Sequence, residues 1–150
     1  LGLIYTLGPS NLYAVLHALE GLGYVHAKIS RVSSGPPRKI FRLTRAGKNA
    51  FRRWLDQPVR RIRQVRQDFL LKLFFSQHLP GHDTRALLDR QIAACRAYLR
   101  ELEQADARAP LDGFRSLVLS SRRKAAEATI AWLVEQRRTL HPGTLLAARA

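Results

Sequence analysis

At 150 residues, with 46% hydrophobic and 25% charged side chains, the chain has the composition of an ordinary soluble protein, one domain or two small ones. No apolar run is long enough to cross a bilayer, the opening LGLIYTLGPS lacks the basic start of a secretory signal, and one cysteine, Cys95, excludes an internal disulfide framework and fits a reducing cytoplasm. Twenty-six Lys and Arg against eleven Asp and Glu give a net charge of +15, unevenly spread: residues 1–66 hold 13 basic and 2 acidic side chains, residues 67–150 hold 13 and 9.

A basic first part joined to a more balanced second part points to a polyanionic partner, nucleic acid ahead of an anionic membrane surface. The chain contains no methionine, so Leu1 is not an initiator residue and the natural sequence is expected to begin further upstream.

The first helical pattern starts at Ser10, an expected N-cap behind Pro9. It places Leu12, Val15, Leu16 and Leu19 on one face, and Gly23 suits the left-handed residue that closes it. The opposite face carries Asn11, Ala14, His17 and Ala18, small or hydrogen-bonding where a solvated face would favour Lys and Glu. From Tyr24 to Val32 the pattern alternates, with Val25, Ala27 and Ile29 inward against His26, Lys28 and Ser30.

Ser33-Ser-Gly-Pro-Pro37 is a loop, and Lys39–Leu43 alternates again with Phe41 and Leu43 on one face, so a hairpin is expected with its tip at Gly35-Pro36-Pro37. Thr44 opens a second helix that buries Ala46, Ala50, Phe51, Trp54 and Leu55. Gly47 in its first turn allows close approach of a neighbouring element, and Pro58 ends it.

Arg60-Arg-Ile-Arg-Gln-Val-Arg66 bridges to the second part, its arginines placed either on phosphates or in a plain linker. Asp68 is an expected cap for Phe69–Phe75, which is apolar on nearly all sides. After a break at Leu79-Pro-Gly81, Asp83 caps a long helix in which Leu88, Ile92, Cys95, Leu99 and Leu102 follow the 4, 3, 4, 3 spacing of a coiled-coil seam. A last helix, Phe114 to Thr139, turns Leu117, Ala126, Ile130, Leu133 and Val134 inward, and the tail 141–150 is expected to fray.

Helix, strand, basic tip, strand, helix is the output half of a winged helix-turn-helix. Asn11-Leu-Tyr-Ala-Val-Leu-His-Ala-Leu-Glu-Gly-Leu-Gly-Tyr-Val25 resembles the recognition-helix segment of the PadR family of bacterial transcription regulators. Gly35-Pro-Pro-Arg-Lys-Ile-Phe-Arg-Leu-Thr-Arg-Ala-Gly47 resembles that family's wing. The match is dense over residues 9–56; residues 67–140 resemble the three-helix C-terminal domain of the longer, virulence-activator-like members. The resemblance implies a mainly α fold with a small β-hairpin: a winged-helix domain at 1–58 followed by an α-helical dimerisation domain at 67–140.

It also implies a homodimer, more often a repressor, that binds double-stranded operator DNA. The chain departs from the family at its start, where the first supporting helix is missing. Either the chain is truncated or the missing core is supplied otherwise; if that core is absent, Leu12, Leu16 and Leu19 are expected to be partly uncovered and DNA affinity to suffer.

The recognition-helix candidates are Ser10, Asn11, Tyr13, Ala14 and His17: Asn can pair with adenine, an alanine methyl meets thymine, and Tyr13 reaches a phosphate. In the wing, Lys28, Arg31, Arg38 and Lys39 flank a proline-stiffened tip where a minor groove or phosphate backbone would lie. A charged edge hairpin that merely avoids aggregation is the bland alternative. For dimerisation the candidates are Leu88, Ile92, Cys95, Leu99, Leu102, Ile130 and Leu133.

No cofactor, metal set or catalytic constellation is indicated; His78, His82 and Asp83 around Pro80-Gly81 read as a polar loop before a cap. A winged helix that binds RNA or an acidic protein is the other class of function. A sensor of an aromatic small molecule, lined from Trp54, Phe69, Phe74, Phe75, Tyr98, Phe114 and Trp132, is compatible with DNA binding.

Overall fold

The computed structural model describes residues 8–30, 38–107 and 113–140. The chain divides into two compact units, residues 1–56 and 57–150. In the first, α1 (Pro9–Gly21) leads into β1 (Val25–Ser30), which pairs antiparallel with β2 (Arg38–Leu43), followed by α2 (Arg45–Asp56). In the second, a short α3 (Ile62–Gln64) runs through a π-helical turn (Val65–Phe69) into α4 (Leu70–His78), and α5 (Thr84–Ala107) and α6 (Gly113–Thr139) follow. The fold is mainly α with one two-stranded hairpin, the winged-helix arrangement and a helical C-terminal region.

The start of α1 differs from expectation. Gly8 is the N-cap and Pro9 opens the helix, so Ser10, the expected N-cap, stands inside the first turn instead. Proline is well suited there, because its fixed φ is helical and the first-turn N–H it lacks would have no helical partner. The other end is as the sequence implies. Gly23 takes φ +70°, the Gly23 N–H donates to the Glu20 carbonyl at 2.9 Å, and the Tyr24 N–H donates to the Leu19 carbonyl at 2.9 Å. That pair of bonds is a Schellman closure.

The strand alternation holds at one end only. Val25 is buried and Ala27 half-buried, but Ile29 is 62% exposed, and of the facing pair Phe41 is half-buried while Leu43 is exposed. The hydrogen bonds that join the hairpin to the helices, Ala27 N–H to Glu20 and Thr44 N–H to the Tyr24 carbonyl, lie at its Val25 end. Helix α2 buries Gly47 and Leu55 and half-buries Ala50 and Phe51, so its inner stripe runs 47, 51, 55. Ala46 and Trp54, expected inward, lie beside that stripe and are exposed.

The second unit owns the larger core: Val59, Val65, Phe69, Leu73, Leu87, Leu88, Ile92, Cys95 and Leu133, with Ile130, Trp132 and Val134 packed against it. Residues 57–66 are built into this unit, since Val59 and Val65 belong to its core. Gln91, fully buried on α5, holds the crossing chain with both ends of its amide: its carbonyl accepts from the Val59 N–H at 2.7 Å and its NH₂ donates to the Val59 carbonyl at 2.9 Å. Lys72, also buried, donates from Nζ to the Gln57 carbonyl at 2.5 Å. A buried ammonium and a buried amide are stable here because each has found a backbone partner.

Asp68, an expected cap, sits within the π turn instead, because the helix has already begun at Ile62. Asp83 does cap α5, its Oδ1 accepting from the N–H groups of Arg85 (2.9 Å) and Ala86 (3.0 Å). Leu117, expected inward, is 65% exposed: it lies on the first turns of α6, ahead of the part that meets the core at Ala126 to Val134.

Candidate nucleic-acid interface

Among the described residues of the first unit, a few polar ties join the helices to the hairpin. Thr44 Oγ1 donates to the Gly23 carbonyl at 2.7 Å and accepts from the Gly47 N–H at 3.0 Å, so one hydroxyl both closes the strand-to-helix turn and caps α2. Gly47 makes this possible. A Cβ there would stand 1.9 Å from the Tyr24 carbonyl oxygen, so the helix approaches the β1 entry closer than any side chain allows. On the other side, Glu20 Oε1 accepts from the Ala27 N–H at 3.2 Å, fastening the end of α1 to β1, while its Oε2 lies 3.7 Å from His17 Nδ1.

These ties hold α1 against the hairpin with Asn11, Tyr13, Ala14, His17 and Ala18 all exposed. Tyr13 is 58% exposed, so its phenol lies at the surface.

The hairpin register sorts the basic side chains by face. His26 pairs with Arg42, Lys28 with Ile40 and Ser30 with Arg38, and facing residues share a side. One face therefore carries His26, Lys28, Arg38 and Arg42, all exposed, around Ser30 and Ile40. The other carries Val25, Ala27, Phe41 and Leu43, with Lys39 opposite Ile29 and its ammonium 5.8 Å from the Phe41 ring centre. Arg45, Lys48, Arg52 and Arg53 add exposed cations on α2. Against them the described part of this unit has only Glu20 and Asp56 as acids, so its field is strongly positive.

Two family models match the chain: that of the transcriptional regulator PadR-like family over residues 2–53, and that of the virulence activator alpha C-terminal region over residues 65–141, just over half of the length. The chain belongs to the PadR-like regulators that carry this C-terminal region. Among solved structures it is similar to Bacillus subtilis PadR in complex with operator DNA, at 23% identity over 91% of this chain and 82% of that one, TM-score 0.42. It is similar also to Bacillus subtilis PadR in complex with p-coumaric acid (22% identity, 91% and 80% covered, TM-score 0.42). A third is smu.1604c from Streptococcus mutans UA159 (19%, 91% and 82%, TM-score 0.43). No curated protein matches it.

In this PadR-like chain, Asn11, Tyr13, Ala14 and His17 are all exposed on α1, as are Leu12 (43%) and Val15 (49%) of the expected inner face, and Lys28 and Arg38 share one face of the hairpin. Lys39 falls on the opposite face. Arg31 and the Gly35-Pro36-Pro37 tip lie outside the described residues, and Ser10 is described in backbone only, at the second position of α1. Arg42 escaped the sequence reading, where it is only a spacer between Phe41 and Leu43. Counting pairs back from the expected Gly35-Pro36-Pro37 tip sets it opposite Ser30, whereas the observed register sets it opposite His26. Glu20 escaped as well; nothing local signals a carboxylate that binds an N–H seven residues on.

In the second unit Leu88, Ile92, Cys95 and Leu133 are buried, and Ile130 packs against them, in the core of a single chain. Leu102 is buried and Leu99 half-buried on the same helix. Burial also pushes the Cys95 thiol above its ordinary pKa, so it stays protonated packing material. His78 donates from Nδ1 to the Phe74 carbonyl at 2.6 Å, and His82 Nδ1 lies 2.8 Å from the buried Ser76 Oγ. With Asp83 capping α5, these three side chains serve the turn in which they stand.

Proposed function

We propose that the chain is a sequence-specific DNA-binding repressor that acts as a homodimer on an operator and responds to a small-molecule effector. One observation carries the reading. In a single compact unit, a helix whose outer side is Asn11, Ala14 and His17 is fastened to a hairpin whose outer face is Lys28, Arg38 and Arg42. A major groove admits a helix only if the inward side chains are short or can hydrogen-bond base edges, and Asn, Ala and His meet that condition.

The cations on the hairpin then contact the phosphate backbone, which fixes the register of the helix without reading sequence. Membership of the PadR-like regulators supports the same role. On this reading residues 1–58 read DNA and residues 67–140 join two copies. The seam residues Leu88, Ile92, Cys95 and Leu133 are already covered within one chain. The second copy is therefore placed on the early turns of α6, where Phe114 (76% exposed) and Leu117 present an apolar pair to solvent.

The test is fluorescence anisotropy on a duplex from upstream of the protein's own gene, against a scrambled duplex, at two salt concentrations. Preference for the native duplex, with affinity falling as salt displaces counterions, is the expected result. Equal binding to both duplexes would overturn sequence reading and favour an RNA or an acidic protein as partner. Phe114→Asp should lower the dimer fraction at least tenfold in light scattering; an unchanged mass would remove α6 from the interface.

A further inference from the structure

The most distinctive feature outside the winged unit is a cleft of about 650 Å³ in the second unit. It is lined by Arg60, Arg61, Arg63 and Arg66 from the chain around α3 and the π turn, by Tyr98 of α5, and by Arg122 of α6, over Ile62 and Ala125. Five guanidinium groups border it and, among the described residues, no carboxylate does. Among the described residues none of the five has a carboxylate partner, whereas Arg137, on the same α6, pairs with Asp89.

Like charges gathered around one concavity repel one another, and a cleft lined by one sign of charge concentrates the field inside it. The π turn that carries Arg66 is a backbone form found disproportionately at functional sites. The size falls within the range of small-molecule sites, about 300–1,000 Å³.

We infer that this cleft binds a small organic anion with at least two negative charges, held by guanidinium forks from α3, the π turn and α6, with Tyr98, Ile62 and Ala125 against its body. Arginine suits the task because its planar fork donates two parallel hydrogen bonds to a phosphoryl or carboxylate group. The polar company fits as well. Ser121 lines the same wall with a hydroxyl that can donate to an anion, while Thr129 Oγ1 gives its proton to the Ala125 carbonyl at 2.7 Å. Of the aromatic residues considered from the sequence as ligand contacts, Tyr98 lines this cleft, whereas Phe69 is fully buried in the core and Trp132 packs against that core. The anionic group, more than an aromatic ring, is what the lining selects.

The shared chemistry is a phosphate ester or a polycarboxylate, and the probes separate them. Isothermal titration of the full chain with AMP, pyrophosphate and citrate, with adenosine as the neutral control, should give saturable binding to at least one anion and none to adenosine. The bound anion should also raise the melting temperature by about 8 °C when present at a hundredfold excess over Kd. Arg63→Gln combined with Arg122→Gln should weaken that binding at least tenfold. Arg100→Gln with Arg138→Gln, an equal loss of charge elsewhere, should leave it within twofold.

No saturable binding to any of the three anions at millimolar concentration overturns the inference. So does equal weakening by both double variants, which would mean only a general cationic attraction. A lining variant that keeps anion binding but lowers the salt dependence of duplex binding would instead assign these arginines to the DNA backbone. The site does not rest on the DNA reading: a chain that binds no operator and still binds an anion through Arg63 and Arg122 leaves it standing.

Discussion

The two units are stabilised in different ways. The second encloses Phe69, Leu87, Leu88 and Leu133 in a continuous core, and two of its buried polar side chains, Gln91 and Lys72, are paired with backbone. Among its described residues the first buries only Val25, Gly47 and Leu55. It keeps its shape through backbone closures at Gly23 and Thr44 and through the Glu20–Ala27 tie. Hydrophobic burial is non-directional, so a core tolerates some readjustment; hydrogen-bonded closures depend on geometry and fail one at a time. A surface that must present particular side chains at fixed positions is better served by the second kind.

The largest effects are expected where each kind of stabilisation is most concentrated. Phe69→Ala should lower the stability of the second unit by about 4 kcal/mol, the usual scale for emptying an aromatic core site. Denaturant unfolding followed by Trp132 fluorescence in a Trp54→Phe background measures it, and a loss under about 1 kcal/mol would mean the core collapses freely around the gap. Gly47→Ala should cost the first unit about 3 kcal/mol, because its Cβ would overlap the Tyr24 backbone rather than a movable side chain. Trp54 fluorescence in a Trp132→Phe background reports it.

Smaller effects test the interface itself. Asn11→Ala should cost about 2 kcal/mol of discrimination between native and scrambled duplex while leaving nonspecific affinity unchanged. Arg42→Ala should reduce the slope of log affinity against log salt by about one, the signature of a single lost phosphate contact. An unchanged slope would return the hairpin face to the role of a charged edge.

The smallest concerns Asp83. Its carboxyl is held below the usual carboxylate pKa, first by the Ala86 N–H, with the Arg85 N–H and nearby cations helping and desolvation opposing. A depressed folded pKa means the unfolded chain takes up the proton first as acid is added. The contribution is complete above the ordinary aspartate value and is lost as pH falls through the lowered one. Urea midpoints compared between about pH 3 and pH 7 should therefore show a slightly shallower acid loss for Asp83→Asn, which caps without titrating.

Much of this was legible in the residue order, because it depends on interactions within a few positions. The period of three and four in Leu12–Leu19, the Gly23 closure, the Asp83 cap, the close approach at Gly47 and the concentration of charge before residue 67 each follow from local chemistry. So does the family resemblance, which rests on the α1 and wing segments.

Tertiary structure decided what depends on distant partners. It showed that Ile29 and Leu117 face solvent, since no described element packs over the far end of the hairpin or the first turns of α6. It also set Arg42 on one face with Lys28 and Arg38, and joined Arg60–Arg66 to Tyr98 and Arg122 around one cleft. Sequence periodicity says which side chains share a face. Only the packing of one element against another says which face is covered, and by what.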